Sequence, residues 1–167
     1  MKKYLVLFLL SVFFISCSKT TDQEYFDQAN KSFKENNIPE AIKSFESLIN
    51  DYPESELAPK ALVQIASIYQ NQLVKNVKPQ ESFEKAQKYF MQVYEEYPDD
   101  QDAPKSLFLS GFILANDLKK YDNATSRFKL FLEKYPSHSL AESAKLELDN
   151  MGLSPEEILR RTETAKQ

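Results

Sequence analysis

The sequence predicts an all-α solenoid built from helical hairpins. Two observations carry that prediction. One motif recurs three times without gaps, and its internal spacing places its residues on a single helix face. The composition agrees. Of 167 residues only 2 are Gly and none is Trp, while Ala, Leu, Glu, Lys and Gln, which lose little freedom in a helix, are abundant. A hydrophobic share of 42% and a charged share of 28% suit a packed domain rather than a disordered chain.

The motif reads Ala-x3-Phe-x6-Tyr-Pro. Its copies are Ala41, Phe45, Tyr52, Pro53; Ala86, Phe90, Tyr97, Pro98; and Ala124, Phe128, Tyr135, Pro136. Small residues follow each proline at fixed places: Ala58, Ala103 and Ala141, then Ala61, Ser106 and Ala144. Residues four apart share a helix face, and the Tyr lies two turns further along it. Proline then stops the helix, because it lacks an N–H and clashes with the turn before it. The small residues open the next helix where two helices cross closely. All twelve repeat positions are therefore expected to be structural, with the Tyr rings packing under the following helix.

Helices are expected in pairs along the chain. The first hairpin covers Asp22 to Asn36 and Pro39 to Asp51, with Pro39 suited to a first helical position. The second covers Glu56 to Leu73 and Gln80 to Glu96. The third covers Asp102 to Lys119 and Asp122 to Lys134, with Asp122 as N-cap. A further helix runs from His138 to Asn150, and Gly152 is expected to close it in the left-handed conformation. Ser154-Pro155-Glu156-Glu157 reads as a capping box opening a short polar helix to Thr164.

The first residues stand apart. Lys2 and Lys3 precede an apolar run from Tyr4 to Ile15. As a helix that run rises only about 18 Å, short of a ~30 Å bilayer core. It reads as a signal sequence, giving residues 1–16 as signal peptide, 17–21 as tether and 22–165 as the repeat domain. The run ends in Phe14-Ile15-Ser16-Cys17, which resembles the lipobox of bacterial lipoproteins, although that family prefers Leu where Phe14 stands. The resemblance implies cleavage before Cys17, lipidation (palmitate included) of Cys17, and, with Ser18 following it, the outer membrane. Cys17 is the chain's one cysteine, so no intrachain disulfide is possible. The net charge of −4, more acidic once Lys2 and Lys3 are removed, is a poor footprint for nucleic acid.

The repeat resembles the tetratricopeptide motif over about Glu24 to Asn150, which implies a right-handed solenoid of about three and a half hairpins. The small residue of that family's first helix falls at Ala29, Ala66 and Gly111, but its Trp is absent and the proline spacings exceed its usual period. Tyr52-Pro53-Glu54-Ser55 and Tyr135-Pro136-Ser137-His138, each leading into an Ala-containing helix start, resemble the BamD-like (YfiO-type) outer-membrane lipoproteins and the related Tol-Pal accessory family YbgF/CpoB. The lipobox favours the former.

No constellation for catalysis is legible. His138 stands alone after Pro136-Ser137 and is expected to be solvated. Two isolated glycines cannot form a phosphate loop, and no ligand cluster suggests a metal. The pairs Glu95-Glu96, Asp99-Asp100 and Glu156-Glu157 read as solvated surface. No enzyme activity and no cofactor are expected. The tetratricopeptide resemblance instead implies a groove along the first helices, at Phe26, Asn30, Phe33, Val63, Ser67, Gln70, Phe108, Phe112 and Ala115. The same aromatics could equally pack on neighbouring helices. The expected function is a lipid-anchored, periplasm-facing scaffold binding another envelope protein, the barrel-assembly machinery foremost. A Tol-Pal, cell-division or peptidoglycan-associated adaptor is the alternative, and a glycan- or nutrient-binding lipoprotein a weaker one.

Overall fold

The computed structural model describes residues 19–164. The expected signal peptide and Cys17 lie outside them. Among the described residues there are eight helices and no strand: α1 (Asp22–Lys34), α2 (Ile38–Asp51), α3 (Ala58–Gln70), α4 (Pro79–Glu96), α5 (Ala103–Asn116), α6 (Tyr121–Lys134), α7 (Ala141–Asp149) and α8 (Pro155–Thr164). From α1 to α7 consecutive helices pack on one another. This is the nearest-neighbour stacking of a tetratricopeptide-like solenoid.

Two kinds of turn alternate. After α1 and α3 the chain reverses through a left-handed residue, Asn36 (φ 58°) and Gln72 (φ 55°). Asn37 N–H reaches Ser32 C=O at 2.8 Å and Asn36 N–H reaches Phe33 C=O at 3.0 Å. Leu73 and Gln72 repeat the pattern onto Ile68 and Tyr69. These are Schellman closures, which satisfy the last carbonyls of each helix. After α5 the left-handed residue is Lys119 (φ 54°), with Lys120 N–H on Leu114 C=O. Only Asn36 is of a type that tolerates this conformation well. Gln72 is exposed, so Gln72→Gly is expected to raise unfolding free energy by about 0.5–1 kcal/mol, relieving the Cβ crowding at some cost in chain entropy. Urea titration of the two proteins measures it.

The second kind of turn follows each repeat Tyr. Tyr52, Tyr97 and Tyr135 occupy the C-cap positions of α2, α4 and α6. Each Tyr C=O accepts from the N–H three residues on, in Ser55, Asp100 and His138. The side chain of that same residue then accepts from the N–H two further on. Leu57 N–H donates to Ser55 Oγ at 3.1 Å, Asp102 N–H to Asp100 Oδ1 at 2.8 Å and Leu140 N–H to His138 Nδ1 at 3.1 Å. A hydroxyl, a carboxylate and an imidazole thus do one job. His138 is therefore a half-buried turn residue, not a solvated one. Its ring also meets Phe131 edge-on at 5.6 Å.

These turns take up residues assigned to helix from sequence alone, so α3, α5 and α7 start one to three positions later than expected. Asp122 is not an N-cap. The cap is Lys120, and Asp122 sits in the first turn of α6, where its carboxylate favours the positive helix end; the Lys119 reversal leaves no separate capping residue. Gly152 is left-handed (φ 75°), but it lies beyond the C-cap Asn150, in a turn closed by Leu153 N–H on Asn150 C=O. Pro39 is in the first turn of α2, one place after its start at Ile38. The Ser154 capping box is present: Glu157 N–H donates to Ser154 Oγ at 3.3 Å and Ser154 N–H to Glu157 Oε2 at 2.7 Å. An equivalent box at Thr21 and Glu24 opens α1.

Packing follows the motif. Ala41, Ala86, Ala124, Phe45, Phe90 and Phe128 are buried, as are Ala29, Ala66, Ala58, Ala103 and Ala144. One apolar cluster joins α1 to α4 and takes in Ile113 of α5. A second joins α4 to α7, centred on Phe108, Phe128 and Phe131. The Tyr rings also reach back. Tyr97 Oη donates to Pro53 C=O at 2.8 Å, Tyr52 Oη donates to Thr20 C=O at 2.8 Å, and Tyr135 meets Tyr94 at 6.3 Å.

Candidate binding surface

The expected groove residues divide into two groups. Phe108 (8% exposed) and Ala115 (5%) belong to the core. Phe108 contacts Phe128 at 5.5 Å and Phe131 at 5.9 Å between ring centroids. Phe26 is half-buried and meets Phe45 edge-on at 5.6 Å, so it closes its own hairpin. The more accessible set is Asn30, Val63, Ser67, Gln70 and Phe112, all half-buried, with Phe33 at 38% exposure. Asn30 and Ser67 turn their polar atoms inward to helix carbonyls, Asn30 Nδ2 to Phe26 C=O at 2.9 Å and Ser67 Oγ to Val63 C=O at 2.8 Å. Among the described residues no ring contact or side-chain hydrogen bond bridges the three first helices through this set.

Three depressions that periodicity does not reveal are better formed. One, of about 590 Å³, lies between the first two Tyr-Pro turns. Carboxylates of Glu54, Glu56, Glu96, Asp99 and Asp100 rim it, with Pro59 and Tyr97 among its apolar lining. A second, about 400 Å³, opens between α2 and α4. There Tyr69 and Tyr89 stack at 5.9 Å with planes 7° apart, Lys85 Nζ stands 5.2 Å from the Tyr69 centroid, and Tyr89 Oη donates to Glu46 Oε1 at 2.9 Å. The third, about 380 Å³, lies at the opposite edge from the Tyr-Pro turns, with Ile38, Pro39, Leu73 and Val74 among its walls. The signal for the second was in the sequence as Tyr69 and Tyr89, but only the stacking of α3 on α4 brings them together.

The electrostatics are those of packing. Burial first, then the Glu46 bond, holds the Tyr89 phenol far above its ordinary range. Tyr97 is raised by burial and then by Glu96 and Glu54, and Tyr135 by burial and then by Tyr94 and Asp99. A phenol whose folded pKa is raised stabilises the fold below its unfolded value, about 10, and the contribution is lost as pH rises through the folded value. Stability is therefore expected to fall above about pH 10, and Tyr89→Phe to make the fall shallower. Urea midpoints at pH 8 and pH 11 for both proteins check this. Among the described residues no group of three or more His, Cys, Asp or Glu is placed to hold a metal, and no helix is long and apolar enough to cross a membrane.

The family model for YfiO, outer membrane lipoprotein, matches residues 18–153. The chain belongs to the YfiO family of outer membrane lipoproteins. The match runs from before α1 to beyond α7, so it takes in all three Tyr-Pro repeats of this YfiO-family solenoid. Membership places the chain at the outer membrane as a lipid-anchored protein. No curated protein matches the sequence at a significant level.

Proposed function

We propose that this YfiO-family chain is a scaffold, tethered through lipid on Cys17 and facing the periplasm, that binds another envelope protein during outer-membrane β-barrel assembly or in a similar envelope complex. The observation that carries the reading is an outer-membrane-lipoprotein match laid over a helical-repeat solenoid. Solenoids of this kind present long surfaces to partner proteins. On this reading residues 1–16 are removed on export, Cys17 carries the acyl chains and becomes the new N-terminus, and residues from 22 onward form the interaction domain. More than one acyl chain makes a stable anchor where a single chain is marginal. The partner is a component of the barrel-assembly machinery or of a comparable complex. No cofactor takes part and no bond is made or broken.

Cys17→Ala is expected to move the protein from the membrane fraction to the soluble fraction; full membrane retention would end the lipid-anchor reading. The scaffold reading has a separate test. A photo-crosslinking residue at Phe33 or Gln70 is expected to capture one discrete envelope protein, and depletion of the chain to lower the level of outer-membrane barrels. Normal barrels with failed septation would assign the scaffold to a Tol-Pal process instead.

A further inference from the structure

The approach to α1 is strapped down. Lys19 Nζ stands 4.8 Å from the centroid of the Tyr52 ring, and Tyr52 Oη donates to Thr20 C=O at 2.8 Å. Thr21 N–H donates to Glu24 Oε2 at 2.8 Å within the α1 capping box. Asp22 Oδ2 accepts from Ser55 Oγ at 2.6 Å, a charge-assisted bond. Four successive residues are thus tied to the first Tyr-Pro turn or to the first turn of α1. Tyr97 makes the same reach onto Pro53 C=O. The strap therefore fills the place that a preceding repeat's turn would fill.

Only Ser18 separates Lys19 from Cys17. Two residue steps span at most about 7 Å. We infer that the first Tyr-Pro turn, residues 52–56, is the corner of the molecule that lies against the lipid headgroups, and that the opposite edge, residues 36–39 and 73–76, points away from the bilayer. The inference rests on the anchoring at Cys17 proposed above. A helix of 13 residues such as α1 is about 20 Å long, so the two edges differ by about that distance from the surface. A loose tether would let the solenoid tumble; a docked one sets its attitude. The corner presents Glu54 and Glu56, both exposed, and none of the exposed large apolar side chains of the described residues. It rests on headgroups and does not enter the acyl region. The apolar cleft walled by Ile38, Leu73 and Val74 is thereby turned toward the periplasm.

The test uses the full chain in its native envelope. p-Benzoylphenylalanine is placed at Glu54 in one variant and at Asn76 in another, and phospholipid adducts are counted by mass after irradiation of the membrane fraction. At least fivefold more adduct at Glu54 is expected. Equal adduct, or more at Asn76, in membrane-bound protein overturns the orientation while leaving the anchor intact. A chain found in the soluble fraction overturns the anchor and the orientation with it, and fractionation tells the two failures apart. The pair Lys19→Ala, Tyr52→Phe is expected to level the adducts at the two sites without detaching the protein. Undiminished selectivity in that pair would remove the strap as the cause.

Discussion

Phe128→Ala is expected to lower the free energy of unfolding by about 3–5 kcal/mol, a large share of what a domain of this size possesses. The ring is fully buried, lies 5.5 Å from that of Phe108, and its edge carbons sit beside Gly111. Removal leaves a cavity between α5 and α6 that the backbone of neither helix can close. Because each helix touches mainly its sequence neighbours, the loss is expected to be local. Hydrogen exchange should accelerate across α5 to α7 well before α1 to α3. Uniform acceleration would mean that the two apolar clusters melt as one. The same substitution at Phe90 should loosen the other cluster, to which that ring belongs.

Gly111→Leu is expected to cost about 3 kcal/mol or more. A Cβ at this position would lie 3.1 Å from Arg127 Cβ and 3.2 Å from Phe128 Cε1. Arg127 Cβ is fixed to the α6 backbone and the Phe128 ring is fully buried, so a few tenths of an ångström can be found but the room for three further carbons cannot. Gly111→Ala is the informative control. It gains up to about 1 kcal/mol of helix propensity and loses a similar amount to a crowding of a few tenths of an ångström, so its unfolding midpoint should stay close to that of the native protein. Ala at both positions equivalent in the motif, Ala29 and Ala66, is completely buried, so a small side chain fills the corresponding place in the other two hairpins. Thermal and urea unfolding of the two variants separates overpacking from propensity.

The fold was legible because the motif states packing directly. Ala and Phe four apart name a buried face, and Tyr-Pro names its end. The helix ends were less legible, for a physical reason. Ser55, Asp100 and His138 share no residue class, so nothing in composition shows that they perform the same turn chemistry. Gln72 and Lys119 adopt a backbone conformation that their type does not announce. The groove was the least legible part. A Phe on a first helix serves the core or a partner with equal ease, and only the packing of α6 on α5 sends Phe108 inward while leaving Phe112 half accessible. The Tyr69–Tyr89 stack and the acidic cleft join residues from different helices, which no single-helix periodicity can pair. The family match covers the repeats and adds the membrane.

Within the Tyr-Pro turn itself the polar joint is small: a backbone carbonyl and one acceptor atom three residues on, with a downstream Tyr hydroxyl added at the first turn; the rest of the joint is the apolar packing of the two helices that flank it. A hairpin that offers the same acceptors and the same small, apolar face could be spliced there. Chimeras cut within residues 52–57 and 97–102 should therefore fold with a hairpin deleted, duplicated or exchanged, so that length and lateral surface vary while the joint stays fixed. On that view the chain is a gauge assembled from interchangeable blocks, and its extent along the membrane is set by how many blocks are strung together.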